Sequence, residues 1–426
     1  MVEKINCDVL VVGGGPAGCS AAAGAAEEGM DTVLIDKEDE IGKPVECAEG
    51  IGSYLLPLVP FDIPDELLEW RIDGMQMRTK DHEVTRRGAL WRGWSLDREK
   101  WDKWLAKEAS NRGVEVMTGT ELVSVDKKSR YGVMDATVDR RGETVVFGPD
   151  YVIAADGSDS TVARLLGLSV EDFVKADVVG YEARCDIKDP RLQYFFFEDF
   201  SPNGYAYIFP KSDEVANIGV GCTSTPVDKL EENFHDFLQS KDFREVVNLK
   251  ELVSEKGGEA PMRYPGFDWN YGNVFFVGDA ANQAIKPFEE GNIPSIICGW
   301  LLGKNLEKFH REGGYREYID NLFMGMQAES RKVSELLETL TPAKYLVLFA
   351  DFATLDDVLK MSNKDAKKLA RKWKSSKIFR MKEEAVSKFY HYLLEVGLRF
   401  KKRSGEEGIT RLCGGLIPPA ATSRSG

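Results

Sequence analysis

Histidine, paired cysteine and long apolar runs are all scarce in this sequence, and each scarcity removes a class of protein. Four histidines (His82, His235, His310 and His391) are scattered through 426 residues, never at ligand spacing. The seven cysteines (Cys7, Cys19, Cys47, Cys185, Cys222, Cys298 and Cys413) contain no CxxC or CxxxC pair. A zinc site, a disulfide scaffold and an iron–sulfur cluster are therefore disfavoured, and no metal is expected. The longest apolar stretch, 293–303, is interrupted by Pro294 and Ser295 and falls short of the roughly 18–20 residues that span a bilayer. The chain opens on Glu3, Lys4 and a strand-like run rather than a signal peptide. A cytoplasmic protein is expected.

Net positive charge is lacking too, but only on average. Against 56 Lys+Arg stand 70 Asp+Glu, a formal charge of −14. Residues 360–403 hold fifteen basic and four acidic side chains, a local net of +11, which leaves −25 for the remainder. A body that acidic binds polyanions poorly, so a nucleic-acid role is excluded for it. A hydrophobic fraction of 43% is ordinary for a folded chain, and the length allows two or three domains at roughly 150 residues each.

What is present begins at the N-terminus. Cys7–Val12 is a short apolar run of the kind a buried parallel strand needs. Gly13-Gly-Gly-Pro-Ala-Gly18 follows, then an Ala-rich stretch from Ser20 to Glu28, then a second apolar run, 32–35, closed by Asp36. This is GxGxxG between strand and helix, with an acid about 20 residues on. Gly13 permits the tight turn, Gly15 lets the backbone approach a pyrophosphate, and Gly18 allows close helix–strand packing. The helix N-terminus offers N–H groups and positive dipole to phosphates, and Asp36 accepts from a ribose. The fingerprint occurs once, so a second, permanently bound dinucleotide is not expected.

Two later strands end in acids: 151–154 before Asp156-Gly157, and 272–277 before Gly278-Asp279. With these three ordered motifs the chain resembles the FAD flavoproteins of the aromatic hydroxylase and geranylgeranyl reductase superfamily. The resemblance covers residues 7–300 and implies FAD as cofactor. It also implies that Arg98, at the start of an amphipathic helix, lies near the pyrophosphate or ribityl chain, and that the backbone at Val123 meets adenine. Within the superfamily the chain resembles the archaeal geranylgeranyl reductases. Pro44, Cys47, Gly50 and Ile51 match their Pro-x-x-Cys-x-x-Gly-Ile stretch, in which the Cys and neighbouring backbone approach the isoalloxazine. Tyr205-Ala-Tyr-Ile-Phe-Pro210, eight residues, then Gly219-Val-Gly221 match their YxWxFP…GxG substrate motif, with Tyr207 in place of Trp. After Pro287 the family commonly reads Gly-Gly-Gly-Ile, and Glu290-Gly-Asn292-Ile stands here.

The resemblance implies an α/β fold, α+β overall. A Rossmann-like FAD domain (1–76, 95–180 and 265–330) would carry an inserted mixed-sheet substrate domain (77–94 and 181–264). A helical C-terminal domain (331–403) and a tail (404–426) would follow. Cofactor contacts are expected at Gly13, Gly15, Ala17, Gly18, Asp36, Cys47, Ala48, Gly50, Arg98, Val123, Asp156, Gly278, Asp279, Gly291 and Asn292. Substrate contacts are expected at Tyr205, Tyr207, Phe209, Pro210, Gly219 and Gly221. Alternation puts the aromatics 205, 207 and 209 on one strand face. The implied reaction is saturation of polyprenyl C=C bonds by hydride from flavin N5, with Cys47, Tyr205, Tyr207 or water as proton source. Electrons would come from ferredoxin or NAD(P)H. The basic segment 360–403, interleaved with aromatics, would meet an anionic membrane surface at the inner face or an acidic donor. A monooxygenase or halogenase on the same fold, and a membrane-surface electron relay to quinone, are the alternatives.

Overall fold

The computed structural model describes residues 3–322, except 81, 89, 90, 128–131, 169–173, 224, 263–266 and 287, together with 344 and 361–372. The first sheet grows from β1 (Glu3–Val12), whose Val9, Leu10 and Val11 are fully buried. A strand hidden on both faces calls for helices on both sides and parallel neighbours. β2 (Thr32–Ile35) and β11 (Glu143–Ala154) flank it in parallel, and β8 (Glu115–Met117) and β19 (Val274–Phe276) extend the sheet, giving the order β8-β2-β1-β11-β19. β9 (Thr120–Lys127) and β10 (Val133–Arg140) form an antiparallel flap on β11, and β18 (Asn270–Tyr271) closes the far edge.

Two helices cross on this sheet with little between them. α1 (Pro16–Glu27) and α6 (Asn292–Lys304) meet through small residues. A Cβ on Gly299 would sit 2.3 Å from the Ala17 carbonyl oxygen, and one on Gly303 would sit 2.2 Å from that of Ala21. Ser20 Oγ donates to the Ile296 carbonyl at 2.6 Å. The alanines of α1 are thus a packing requirement, and the crossing brings both helix N-termini to one side of the sheet.

The second sheet is mixed. Its order is β16 (Val247–Glu255), β12 (Lys175–Ile187), β15 (Val215–Thr223), β14 (Gly204–Pro210), β13 (Leu192–Phe196), β5 (Gly74–Thr79) and β6 (His82–Arg87), with β17 (Gly258–Pro261) also on β12. Only β13–β5 is parallel. Gly74, Met75 and Gln76 pair in register with Leu192, Gln193 and Tyr194, so this sheet starts at 74 rather than 77; β12 likewise starts it again at 175 rather than 181. Alternation splits its aromatics. Tyr194, Phe196, Ile208 and Ile218 pack under α4 (Val227–Gln239) and α5 (Lys241–Val246), while Phe195, Phe197, Tyr207 and Phe209 form a separate cluster on the opposite face. A small sheet, β3 (Gly50–Gly52), β7 (Gly93–Ser95) and β4 (Trp70–Ile72), joins the two large ones, and α2 (Arg98–Ser110) follows it.

Beyond α6 run α7 (Leu306–Glu312) and α8 (Tyr315–Leu322). In α9 (Asn363–Lys372), Ser362 caps the start by accepting from the Asp365 N–H at 3.1 Å. Ala366 of α9 is fully buried in the aromatic cluster of the second sheet. Most of the basic segment 360–403 and the whole 404–426 tail lie outside the described residues. No described helix is long and apolar enough to cross a membrane.

Candidate active site

The β1–α1 turn is shaped by what a side chain would hit. Gly13 has φ +105°, and a Cβ there would lie 2.4 Å from the Ala155 carbonyl oxygen. At Gly18 it would lie 1.8 Å from the Gly13 carbonyl oxygen. At Gly15, the residue preceding α1, nothing stands within 4 Å: the space is open. Pro16, at the first helical position, lacks an N–H where none is needed. Asp36, at the end of β2, accepts from Gly14 N–H at 2.6 Å and Glu38 N–H at 2.8 Å. It therefore builds the turn, and a carboxylate's remaining lone pairs stay available to a ribose. Cys19, not anticipated from the sequence, donates to the Gly14 carbonyl at 3.0 Å. Ala17 packs beneath Gly278, whose Cβ would meet the Ala17 Cβ at 2.7 Å.

Two expected cofactor residues, like Asp36, lie outside the lining of the cavity described next. Asp156 accepts from Val162 N–H at 2.9 Å, at the start of the short helix α3 (Thr161–Leu166), and its Cα abuts Gly13. Its Oδ1 is buried without a hydrogen bond, and burial raises its pKa. It supports the turn from behind and does not line the cavity. Val123 lies on β9 with its side chain 46% exposed, also away from the cavity.

The cavity itself, about 260 Å³, opens between the two large sheets. Pro16 at the foot of α1 borders it, so it is continuous with the turn. Cys47, Ala48, Gly50, Arg98, Asp279, Gly291 and Asn292 line one side; Tyr205, Tyr207 and Phe209 line the other. Arg98 is partly buried and grips Asp102 with two bonds of 3.1 and 2.9 Å. Burial opposes its charge, but the Asp102 carboxylate outweighs that, and the Cys47 thiol adds a hydrogen bond. Asp279 is half-buried; desolvation raises its pKa, and Lys286 and Arg98 pull it back. Asn292, the first residue of α6, has both side-chain polar atoms buried without a partner. Each orphan costs about 1–3 kcal/mol, and both sit at the N-terminus of α6, where the helix dipole is positive. Such a place is built for a polar ligand. FAD fits: open space over Gly15, a ribose acceptor at Asp36, and donors at α6.

The opposite wall explains the GxG spacing. Tyr207 pairs in register with Gly219, and Gly219 with Gly180 on the next strand. The Tyr207 ring lies across both glycines; a Cβ on Gly219 would meet its hydroxyl at 2.4 Å. That hydroxyl is buried without a hydrogen bond, and burial holds its proton on. Gly221 pairs with Tyr205, whose hydroxyl donates to the Phe288 carbonyl at 2.9 Å. Phe195, Phe209 and Phe288 complete the wall, with ring centroids 4.9–5.3 Å apart in tilted or edge contacts. Pro210 faces away; its carbonyl accepts from Ser95 Oγ at 2.5 Å and ties the sheets together.

Glu290 apart, the sequence reading missed the buried charges. Glu49 is 1% exposed with φ +64°, and it accepts from Arg98 N–H at 2.9 Å, Asn217 Nδ2 at 2.8 Å and Lys211 Nζ at 2.6 Å. Glu290 accepts from Gly52 N–H at 2.8 Å and the Tyr54 hydroxyl at 2.6 Å. Glu289 and Lys286 form a 2.6 Å ion pair. The only sequence signal was the presence of acids inside otherwise apolar, glycine-rich motifs.

Comparison with known proteins agrees with this geometry. Residues 8–171 match the FAD dependent oxidoreductase family, and residues 176–258 match the geranylgeranyl reductase catalytic domain. The digeranylgeranylglycerophospholipid reductase of Picrophilus torridus is 35% identical over 312 residues, covering 71% of this chain and 77% of its own. Digeranylgeranylglycerophospholipid reductase 1 of Methanosphaera stadtmanae is 27% identical over 397 residues, covering 91% and 96%. Among solved structures, a geranylgeranyl bacteriochlorophyll reductase-like protein from Thermoplasma acidophilum superposes with a TM-score of 0.71 at 23% identity, covering 87% of this chain and all of that one. A flavin-dependent halogenase superposes at 0.61 with 18% identity, covering 87% and 70%, a likeness of fold alone. With its FAD-binding turn, its aromatic cavity wall and these relatives, the chain belongs to the digeranylgeranylglycerophospholipid reductase family of FAD-dependent oxidoreductases.

Proposed function

We propose that this chain saturates C=C double bonds of geranylgeranyl or related polyprenyl chains in membrane lipids or their precursors. One observation carries the reading: the aromatic face of β14 and the cofactor-side residues Arg98, Asp279 and Asn292 are opposite walls of one cavity. Bound FAD supplies the hydride, from flavin N5. The rest falls to the chain. The Gly13–Gly18 turn and the N-terminus of α1 take the pyrophosphate, Asp36 takes the ribose, and Arg98 and Asp279 hold the ribityl side. Ala48, Gly50, Gly291 and Asn292 border the flavin. Phe195, Tyr205, Tyr207 and Phe209 exclude water, and their faces stabilise cationic charge that develops on an unactivated alkene. Cys47, next to Arg98 and Tyr207, borders the reacting bond. The first sheet with its helices acts as the FAD domain, the second as the lipid domain.

Electrons arrive from ferredoxin or NAD(P)H docking transiently. The basic segment meets an anionic membrane surface. In α9, Lys364, Lys367 and Lys368 are exposed while Ala366 is buried against the aromatic cluster, an arrangement that suits a helix lying between cavity and headgroups. The test is anaerobic incubation of the dithionite-reduced holoenzyme with geranylgeranyl lipids, followed by mass spectrometry. The expected product gains one dihydrogen equivalent per double bond. Unchanged lipid, with oxygen consumed in an NADPH assay instead, would sink the reading.

A further inference from the structure

The turn before α6 carries two acids to the cavity wall, and they are held differently. Both oxygens of Glu290 are used, Oε1 by Gly52 N–H and Oε2 by the Tyr54 hydroxyl. Glu289 is half engaged. Its Oε2 accepts from Lys286 Nζ at 2.6 Å, while its Oε1 is buried without a hydrogen-bond partner. Lys286 is 1% exposed and is fixed by Asn282 Oδ1 at 2.7 Å. The backbone is fixed too. Ile285 and Glu290 exchange N–H···O bonds of 2.9 and 3.1 Å, which holds Glu289 at φ +55°. Left-handed backbone is unfavourable for a glutamate, and an orphaned buried oxygen adds to the cost. Burial pushes this carboxyl up to about 7, Lys286 pulls it down, and Asp279 adds repulsion. The other charged groups facing the cavity are Arg98, Glu46, Glu49, Glu290, Lys256 and Glu259.

Neither tyrosine hydroxyl is a ready acid. Tyr205 donates a hydrogen bond to the Phe288 carbonyl, and Tyr207 rests on Gly180 and Gly219 with its acidity suppressed by burial. We propose that Glu289 is the general acid of the reaction, delivering a proton from its carboxyl to one alkene carbon. This rests on the prenyl-reductase reading above. The alkene π pair forms the new C–H bond as the Glu289 O–H bond breaks. The second carbon takes the hydride that the reduced flavin supplies, so the alkene gains two electrons and the flavin loses two. The carboxylate left behind is held by Lys286 and regains its proton from water.

The experiment compares wild type, E289Q, E289A and C47A as dithionite-reduced holoenzymes, following flavin reoxidation by a geranylgeranyl lipid across pH. A general acid contributes about 100-fold or more, so E289Q loses at least that much while retaining FAD. An acid works protonated, so the wild-type rate falls as pH rises through about 7, and this limb vanishes in E289Q. Formate restores part of the rate of E289A, which no purely structural role would permit. Infrared difference titration of the lipid-free holoenzyme gives a readout independent of turnover: a carboxyl band titrating near neutrality is present in wild type and missing in E289Q. Wild-type rates in E289Q, or no formate rescue in FAD-loaded E289A, overturn the proposal. Loss of the acid limb in C47A but not in E289Q moves the role to Cys47 and overturns it as well. A wild type that saturates no lipid defeats the prenyl-reductase reading and this proposal together.

Discussion

The two ends of the cofactor site are built from different materials. The turn at 13–36 is made of backbone: glycines with no room for a Cβ, helix N–H groups, and one carboxylate satisfied by two amides. The cavity end is made of side chains held at a cost. It has non-glycine residues at positive φ (Glu49, Glu289), orphaned polar atoms (Asn292, Glu289, Tyr207) and buried ion pairs. A cofactor's pyrophosphate and ribose do not vary, so rigid backbone serves them well. Chemistry and substrate choice need groups whose protonation and reach can be tuned, and those are side chains in strained, desolvated settings.

The largest expected effect comes from attacking the backbone end. Gly18→Ala drives a methyl onto the Gly13 carbonyl, where the built Cβ falls at 1.8 Å from the oxygen. Neither partner is a flexible side-chain tip. The loss is on the order of 3 kcal/mol, the upper end of the usual cost of overpacking. The protein is expected to purify without FAD, read by flavin absorbance per chain, and to melt early. Full FAD occupancy in this variant would break the contrast, because the turn would then be pliable.

An intermediate effect is expected at the Glu49–Lys211 ion pair. Glu49→Gln removes the charge that Lys211 pairs with at 2.6 Å and Lys256 faces at 3.7 Å. Breaking a buried pair costs about 3–5 kcal/mol, and Glu182, 3.2 Å from Lys211, cushions the loss to about 2–3 kcal/mol. Urea unfolding measures it. The double variant with Lys211→Met recovers part of the loss, since the two sites share one interaction. FAD binding should survive. Loss of FAD with unchanged stability would mean that Glu49 serves the cofactor directly.

The same contrast sets what the sequence could reveal. Gly13, Gly18, Asp36 and Asp279 sit at strand ends whose apolar runs are local and visible, so the parallel sheet and its turn were legible. The aromatic alternation at 205, 207 and 209 was legible for the same reason. Glu49 meets Lys211, and Glu290 meets Gly52, only because the fold closes gaps of 162 and 238 residues. No local pattern encodes that. Asp156 was legible as an acid at a strand end, but not that it accepts from Val162 N–H at the start of α3. The second sheet begins at Gly74, three residues before the expected 77, because β5 pairs with the distant strand β13.

The smallest expected effect sharpens the picture most. Tyr205→Phe deletes one hydroxyl, which donates to the Phe288 carbonyl at 2.9 Å. Removing it leaves that carbonyl short of a donor, for about 1 kcal/mol. The ring, which packs on Phe195 with centroids 5.3 Å apart, stays. FAD binding and overall stability should barely move. The bond, however, ties β14 of the second sheet to the turn that carries Glu289 and Glu290. If that turn is held by its own Ile285–Glu290 bridge alone, the pH midpoint of flavin reoxidation is unchanged. If β14 helps to hold it, the loosened turn admits water to Glu289, burial weakens, and the midpoint drops from about 7 toward the ordinary carboxylate range. Because the turn is strained and joined to β14 by this contact, the downward shift is the outcome expected, with the rate below the midpoint nearly preserved.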